Sequence, residues 1–185
     1  MALEPDTDAG IEMLREANAA FGNYTGLRPD VVDLGAFDAE RLAFWAGELA
    51  RFAAQLKHEA AEANGTGRTN LGLLLIRIQL SVEETGEFAE ALAEGDLVHA
   101  AKELTDMSYV TDGHYLTLGL GDLKLPLYRE VHRSNMSKLD PATGKPIISD
   151  AGRWVKGPGY REARLRSIIY PERVRTHGED SAVDD

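Results

Sequence analysis

The chain has 185 residues, 43% of them hydrophobic, a formal charge of −11 and no cysteine. Its length suits one ordinary core; the lack of cysteine excludes a disulfide framework and a thiolate metal site, and fits the cytoplasm. Such acidity argues against stable nucleic-acid binding, which rests on Lys and Arg neutralising phosphates, and the longest apolar run, Leu71 to Leu80, is broken by Arg77 and Gln79 and falls far short of the roughly 20 residues of a membrane span.

In chain order, Gly10 to Phe21 reads as a short helix, followed by a Gly/Pro/Asn-rich connection through Leu34. From Asp38, expected as an N-cap, Leu42, Phe44, Trp45, Leu49, Phe52, Ala53 and Leu56 recur at helical spacing to about Ala63, and Asn64-Gly65-Thr66-Gly67 breaks the pattern. A second long helix is expected from about Asn70 to Ala93, closed by Glu94-Gly95-Asp96. Asp96 then caps a third helix to about Leu118, with Ala100, Leu104, Met107 and Val110 expected as its buried stripe. The short turn makes these two helices antiparallel neighbours. A further short helix is expected over Leu127 to Ser137, then a turn at Asp140 to Pro146, a small hairpin within Ile147 to Val155, and a brief helix near Arg161 to Ile169. The expectation is one all-α domain over residues 1–175, an antiparallel helical bundle with a loop-rich C-terminal segment, and a disordered acidic tail at 176–185.

Charge is divided along the chain. Residues 1–120 carry 8 Lys/Arg against 21 Asp/Glu, whereas residues 121–175 carry 12 against 6. Two acidic clusters stand out: Glu83-Glu84-Thr85-Gly86-Glu87 on the second long helix and Glu103-Leu104-Thr105-Asp106 on the third. Positions three apart share a helix face, so Glu84 pairs with Glu87 and Glu103 with Asp106. Converging carboxylates repel unless a cation lies between them, and hard oxygen ligands suit Mg²⁺ or Mn²⁺. Glu83 lies about 100° round the helix from Glu84 and need not ligate the same ion; it can orient or deprotonate a water, or form a surface salt bridge. A small, highly charged phosphate ligand, held by metal on one side and the basic segment on the other, fits this distribution. Arg77 reads as the partner of a bundle acid and Trp45 as core. His114 and His132 lack an E-x-x-H partner, which counts against a di-iron carboxylate bundle.

EETGE followed by ELTD resembles the EExxE…ExxD signature of the MazG-like, all-α nucleoside triphosphate pyrophosphohydrolases, a superfamily that also includes dimeric dUTPases and phosphoribosyl-ATP pyrophosphohydrolases. Downstream, VHRSNMSKL, GKPI and WVKGPGYREARL are similar to the C-terminal segment of one branch. The resemblance implies Glu84, Glu87, Glu103 and Asp106 as metal ligands and Glu83 as water activator. It further implies phosphate or sugar contacts from Asn135 and Lys138 of SNMSK, Lys156 and Tyr160 of KGPGY, and more weakly Arg133. Read alone, Asn135 and Lys138 are ordinary helix-end surface residues. The implied reaction is Mg²⁺-dependent hydrolysis of a nucleoside triphosphate to monophosphate and pyrophosphate, with dUTP or a noncanonical dNTP as first candidates, in nucleotide-pool cleaning. A phosphoribosyl-ATP pyrophosphohydrolase and a nucleotide sensor that binds without cleaving are the alternatives. A homodimer, or a dimer-based homo-oligomer, is expected from the resemblance and from apolar positions such as Leu73, Leu74 and Ile76 on so few long helices.

Overall fold

The structure, a computed structural model, describes residues 8–23, 25–26, 29–30, 34–149 and 153–171. Of these, 72% are helical, and the sheet content is one two-stranded ribbon, which makes the protein all-α as its sequence predicts. The expected acidic tail lies outside the described residues. The chain divides into two compact units: one comprises the described residues up to Thr25 and from Leu120 onwards, the other Gly26–Gly119.

The Gly26–Gly119 unit holds three helices, α2 (Ala36–Gly65), α3 (Thr69–Glu94) and α4 (Leu97–Thr117). α2 starts two residues before Asp38, on Gly35, which makes no side-chain cap bond. Asp38 stands instead in the first turn, where its charge meets the positive end of the helix dipole. Gly95, at φ 72°, closes α3 in the left-handed conformation. Asp96 caps α4 as expected, its carboxylate accepting from the amides of Val98 and His99, both at 3.0 Å.

The packing of α2 on α3 runs through small residues. Ala46, Ala53, Leu56, Ala60 and Ala63 are the buried positions of α2, and Gly72, Gln79, Gly86, Ala89 and Ala91 those of α3. Ala46, Ala53 and Ala60 recur every seven residues, as do Gly72, Gln79 and Gly86, a spacing that keeps one narrow seam facing the partner helix. The approach is close at Gly86, where a Cβ would lie 3.2 Å from Leu49 Cβ and 3.5 Å from the Ala46 carbonyl oxygen, and at Gly72, where a Cβ would run into the Asn64 side chain. The larger apolar side chains are left outside the seam: Trp45, expected in the core, is 52% exposed, and Leu74 and Ile78 are also exposed. On α4 the buried stripe is Ala100, Glu103 and Val110, while Leu104, expected in that stripe, is half exposed. A glutamate therefore takes the inward position expected for a leucine.

The second unit contains α1 (Ala9–Phe21), α5 (Lys124–Met136), β1 (Ile147–Ile148), β2 (Trp154–Val155) and α6 (Leu165–Ile169). α5 begins three residues before Leu127, after a 3₁₀ turn over Gly121–Leu123. Pro126 falls in its first turn, where the missing amide would have had no intrahelical partner. Tyr128 donates to the Gly10 carbonyl at 3.3 Å and His132 Nε2 lies 3.1 Å from Glu16, which ties α5 to α1. The expected turn closes through Gly144 N to Asp140 O at 2.8 Å, and β1 pairs antiparallel with β2, Ile147 opposite Val155.

Candidate metal centre

Glu84 and Glu87 project from α3 towards α4, and each offers a carboxylate oxygen within 4.8 Å of the other and of Glu103. Glu103 is fully buried, the largest side chain so enclosed among the described residues. An ionised carboxylate in that position requires compensation. Lys102 supplies part of it: its Nζ lies 2.9 and 3.1 Å from the two Glu103 oxygens, 3.0 Å from Asp106 and 3.8 Å from Glu87. His99 Nε2 stands 3.0 Å from Glu103 Oε1, one helical turn away. Asp106 is thus joined to the cluster through the shared ammonium, and the three oxygens that converge directly are those of Glu84, Glu87 and Glu103.

The electrostatics follow from this crowding. Glu84 is raised above the usual carboxylate range by burial and then by the charges of Glu87, Asp106 and Glu103, against a smaller opposing pull from Lys102. Glu87 is raised by burial, by the charge of Glu103 and by a hydrogen bond to Glu103. Burial pushes Glu103 upwards too, but hydrogen bonds and charge from Lys102, a hydrogen bond with Glu87 and the nearby His99 outweigh it and hold the group below its usual range. Lys102 is itself held above its ordinary range by hydrogen bonds to Glu103 and Asp106. One ammonium thus serves four carboxylates, and the cluster between α3 and α4 retains net negative charge.

A decisive detail is Glu84 Oε2, which is buried and has no hydrogen-bond partner. A buried acceptor left without a donor costs about 1–3 kcal/mol, more when charged. Three converging carboxylates, one of which carries an unsatisfied oxygen, make a donor set that fits a hard divalent cation. Residues of this kind suit Mg²⁺ or Mn²⁺.

Glu83 lies outside that cluster. Gln79 Nε2 donates to its Oε2 at 2.7 Å, and the side chain borders a cavity of about 280 Å³ between α2 and α3, whose walls include Ala50, Ala53, Lys57, Gln79 and Glu87. Glu87 thus lines this cavity and also belongs to the acidic cluster. The small residues of the seam are what leave the space open on the α2 side. Arg77, expected to pair with a bundle acid, makes no ion pair among the described residues; its guanidinium packs across Gly113 of α4 and borders an apolar cavity of about 340 Å³ lined also by Leu74, Ile78, His114 and Leu118.

The other candidate residues belong to the second unit. Lys138 Nζ donates to Asn135 Oδ1 at 2.8 Å, and Lys156 Nζ stands 4.2 Å from the centroid of the Tyr160 ring, a cation–π pair. The two motifs are laced together: Ser137 Oγ accepts from the Arg161 amide at 2.8 Å, and Gly159 lies against Pro141 and the Leu139 carbonyl. Arg133 donates from Nε and Nη2 to Glu130 at 2.8 and 2.6 Å and from Nη2 to the Glu162 carbonyl at 2.9 Å, which pins α5 to the segment before α6. Trp154 packs on Phe21, ring centroids 5.0 Å apart.

Sequence reasoning missed Lys102. Its signal was present, because Lys102 precedes Asp106 by four residues and so shares its helix face.

Acids converging from two antiparallel helices of a three-helix unit form a donor set suited to a hard divalent cation. The family model for phosphoribosyl-ATP pyrophosphohydrolase matches residues 47–135, and this match places that stretch in the MazG-like all-α nucleoside triphosphate pyrophosphohydrolase superfamily, which includes those enzymes. It is an enzyme of the pyrophosphohydrolase type, in a family typically dependent on divalent metal. The matched span contains all five acids and Asn135, and stops before Lys138, Lys156 and Tyr160. A search of curated proteins and a search of solved structures found no match. Among the described residues no helix is long and apolar enough to cross a membrane.

Proposed function

We propose that the protein hydrolyses a nucleoside triphosphate to the monophosphate and pyrophosphate, with Glu84, Glu87, Glu103 and Asp106 holding Mg²⁺ or Mn²⁺. The observation that carries this reading is the unsatisfied, buried Glu84 Oε2 among three converging carboxylates. A bound divalent cation supplies charge neutralisation of the polyphosphate and acidifies water near the scissile bond. Lys102 holds the acids together before the cation arrives and withdraws as their charge is taken up. Glu83, anchored by Gln79, accepts the proton of the attacking water from the α2 side. Asn135, Lys138, Lys156 and Tyr160 contact phosphate and sugar, and Arg133 positions the first pair by tying α5 to the Glu162 carbonyl.

dUTP and noncanonical deoxynucleotides are the first substrates to try. A phosphoribosyl-ATP pyrophosphohydrolase is the second reading, supported by the family match over residues 47–135. The exposed Trp45, Leu73, Leu74 and Ile78 support a homodimer, and the absence of cysteine fits the cytoplasm. Pyrophosphate release, measured over a panel of canonical and noncanonical triphosphates and phosphoribosyl-ATP with and without Mg²⁺, tests the proposal. Turnover of a triphosphate that stops in chelator is the expected result; turnover of phosphoribosyl-ATP alone selects the second reading, and nucleotide binding without any release leaves only a sensor.

A further inference from the structure

The second unit contains a cavity of about 270 Å³ lined by Glu130, Arg133, Arg161, Arg164, Ser167 and Ile168. Three guanidiniums and one carboxylate share its wall, and the carboxylate is fully engaged. Glu130 Oε1 accepts from Arg133 Nη2 at 2.6 Å and from the Arg164 amide at 2.7 Å, while Oε2 accepts from Arg133 Nε at 2.8 Å. That bidentate fork occupies the carboxylate with Arg133; Arg164 feels the Glu130 charge only at longer range, and neither it nor Arg161 has an ion pair of its own. Neither has a carboxylate within ion-pair distance among the described residues; their amides, not their guanidiniums, make the bonds that fix the loop, Arg161 N to Ser137 Oγ and Arg164 N to Glu130 Oε1. Solvated arginines on open surface diverge. Here the loop bonds bring two of them to one concave wall, with Ser167 Oγ donating to the Arg164 carbonyl at 2.8 Å and so bracing the turn that carries them; paired guanidiniums on a concave wall are the arrangement that recognises tetrahedral oxyanions.

We propose that this cavity is a phosphoryl-binding site, with Arg161 and Arg164 as its charged ligands and Glu130–Arg133 as the rigid floor, taking free pyrophosphate or the phosphate of a nucleotide. The site lies wholly within the second unit and does not rest on the assignment of the metal centre. The test is calorimetric titration of the full-length protein in chelator with pyrophosphate in one arm and a nucleoside monophosphate in the other. Wild type and Glu84→Gln should both take up one of these ligands saturably, and the ligand that binds names the source of the phosphoryl group. The double substitution Arg161→Gln/Arg164→Gln keeps both amides and should weaken uptake by roughly tenfold per guanidinium removed, with helical circular dichroism unchanged. Absence of saturable uptake of either ligand by wild type, or equal uptake by the double variant, overturns the proposal. Loss of uptake in Glu84→Gln alone would assign the binding to the acidic centre and overturn it too.

Discussion

Two helix-interior glycines give opposite predictions from the same substitution. At Gly86 an added methyl would sit 3.2 Å from Leu49 Cβ, 3.5 Å from the Ala46 carbonyl oxygen and 3.7 Å from the Ala50 amide nitrogen. None of these atoms is the end of a flexible side chain, so relief requires α2 and α3 to separate by a few tenths of an ångström along a seam of alanines. Overpacking of this kind costs about 1–3 kcal/mol, and the better helix propensity of alanine returns about 1 kcal/mol, leaving a net loss on the order of 1 kcal/mol. At Gly47 of α2 the only neighbour of a new methyl within 4 Å among the described residues is the Arg51 guanidinium end, at 3.8 Å, so the propensity gain of about 1 kcal/mol is kept. For a chain of this size each change corresponds to roughly 2–4 °C in Tm. Thermal unfolding followed by circular dichroism should therefore place Gly86→Ala below wild type and Gly47→Ala above it. Equal stabilisation by both would refute the close approach of α2 and α3 at the acidic motif.

Glu84→Gln and Asp106→Asn should each abolish pyrophosphate release while helical content survives; full activity in both would remove the metal assignment. Lys102→Met should lower the Tm in chelator and tighten Mg²⁺ binding several-fold, because the ammonium both offsets the carboxylates and competes with the ion; weaker Mg²⁺ binding measured by calorimetry would show that Lys102 does not stand in for the cation. Protonation gives a signed pH dependence in the metal-free protein. Glu84 and Glu87 are raised above 4.5, so between 4.5 and their folded values the native state binds more protons than the unfolded chain and stability falls as pH rises. Glu103 is lowered, and Glu130 is lowered to about 2 by the Arg133 fork and the Arg164 amide, so their contributions are complete above 4.5 and fade only as pH drops below it. Denaturant unfolding from neutral pH down to 4.5 should show rising stability in chelator and a flattened profile with saturating Mg²⁺; a rise towards neutral pH in chelator would contradict the crowding of the acids.

Much of this architecture is legible in the sequence because glycine and aspartate mark the helix ends. Gly95 and Asp96 place the turn between α3 and α4, and that turn sets the EETGE and ELTD faces against each other. The core was harder to read. Large apolar residues such as Trp45, Leu74, Ile78 and Leu104 suggested its position, yet the helices meet on alanine and glycine, because small side chains permit the backbones to approach and leave bulky ones outside. Hydrophobicity alone does not register that preference, whereas the seven-residue spacing of Ala46, Ala53 and Ala60 does. Glu103 was recognised for its chemistry but not for its depth: burial of a carboxylate becomes affordable only through Lys102 and His99, partners that lie on the same helix and are visible as neighbours at one and four residues. The C-terminal motifs were legible only through the resemblance, and read alone their residues looked like ordinary surface; that Asn135 pairs with Lys138 and Lys156 with Tyr160 is seen only in the structure.

The central claim is that carboxylates from α3 and α4 together bind a divalent cation. Calorimetric titration of Mg²⁺ into the wild-type protein and Glu84→Gln, each with a non-hydrolysable nucleoside triphosphate present, tests it most directly. Saturable uptake by wild type and its loss in Glu84→Gln is the predicted result; no uptake by wild type, or the same uptake by both proteins, would contradict it.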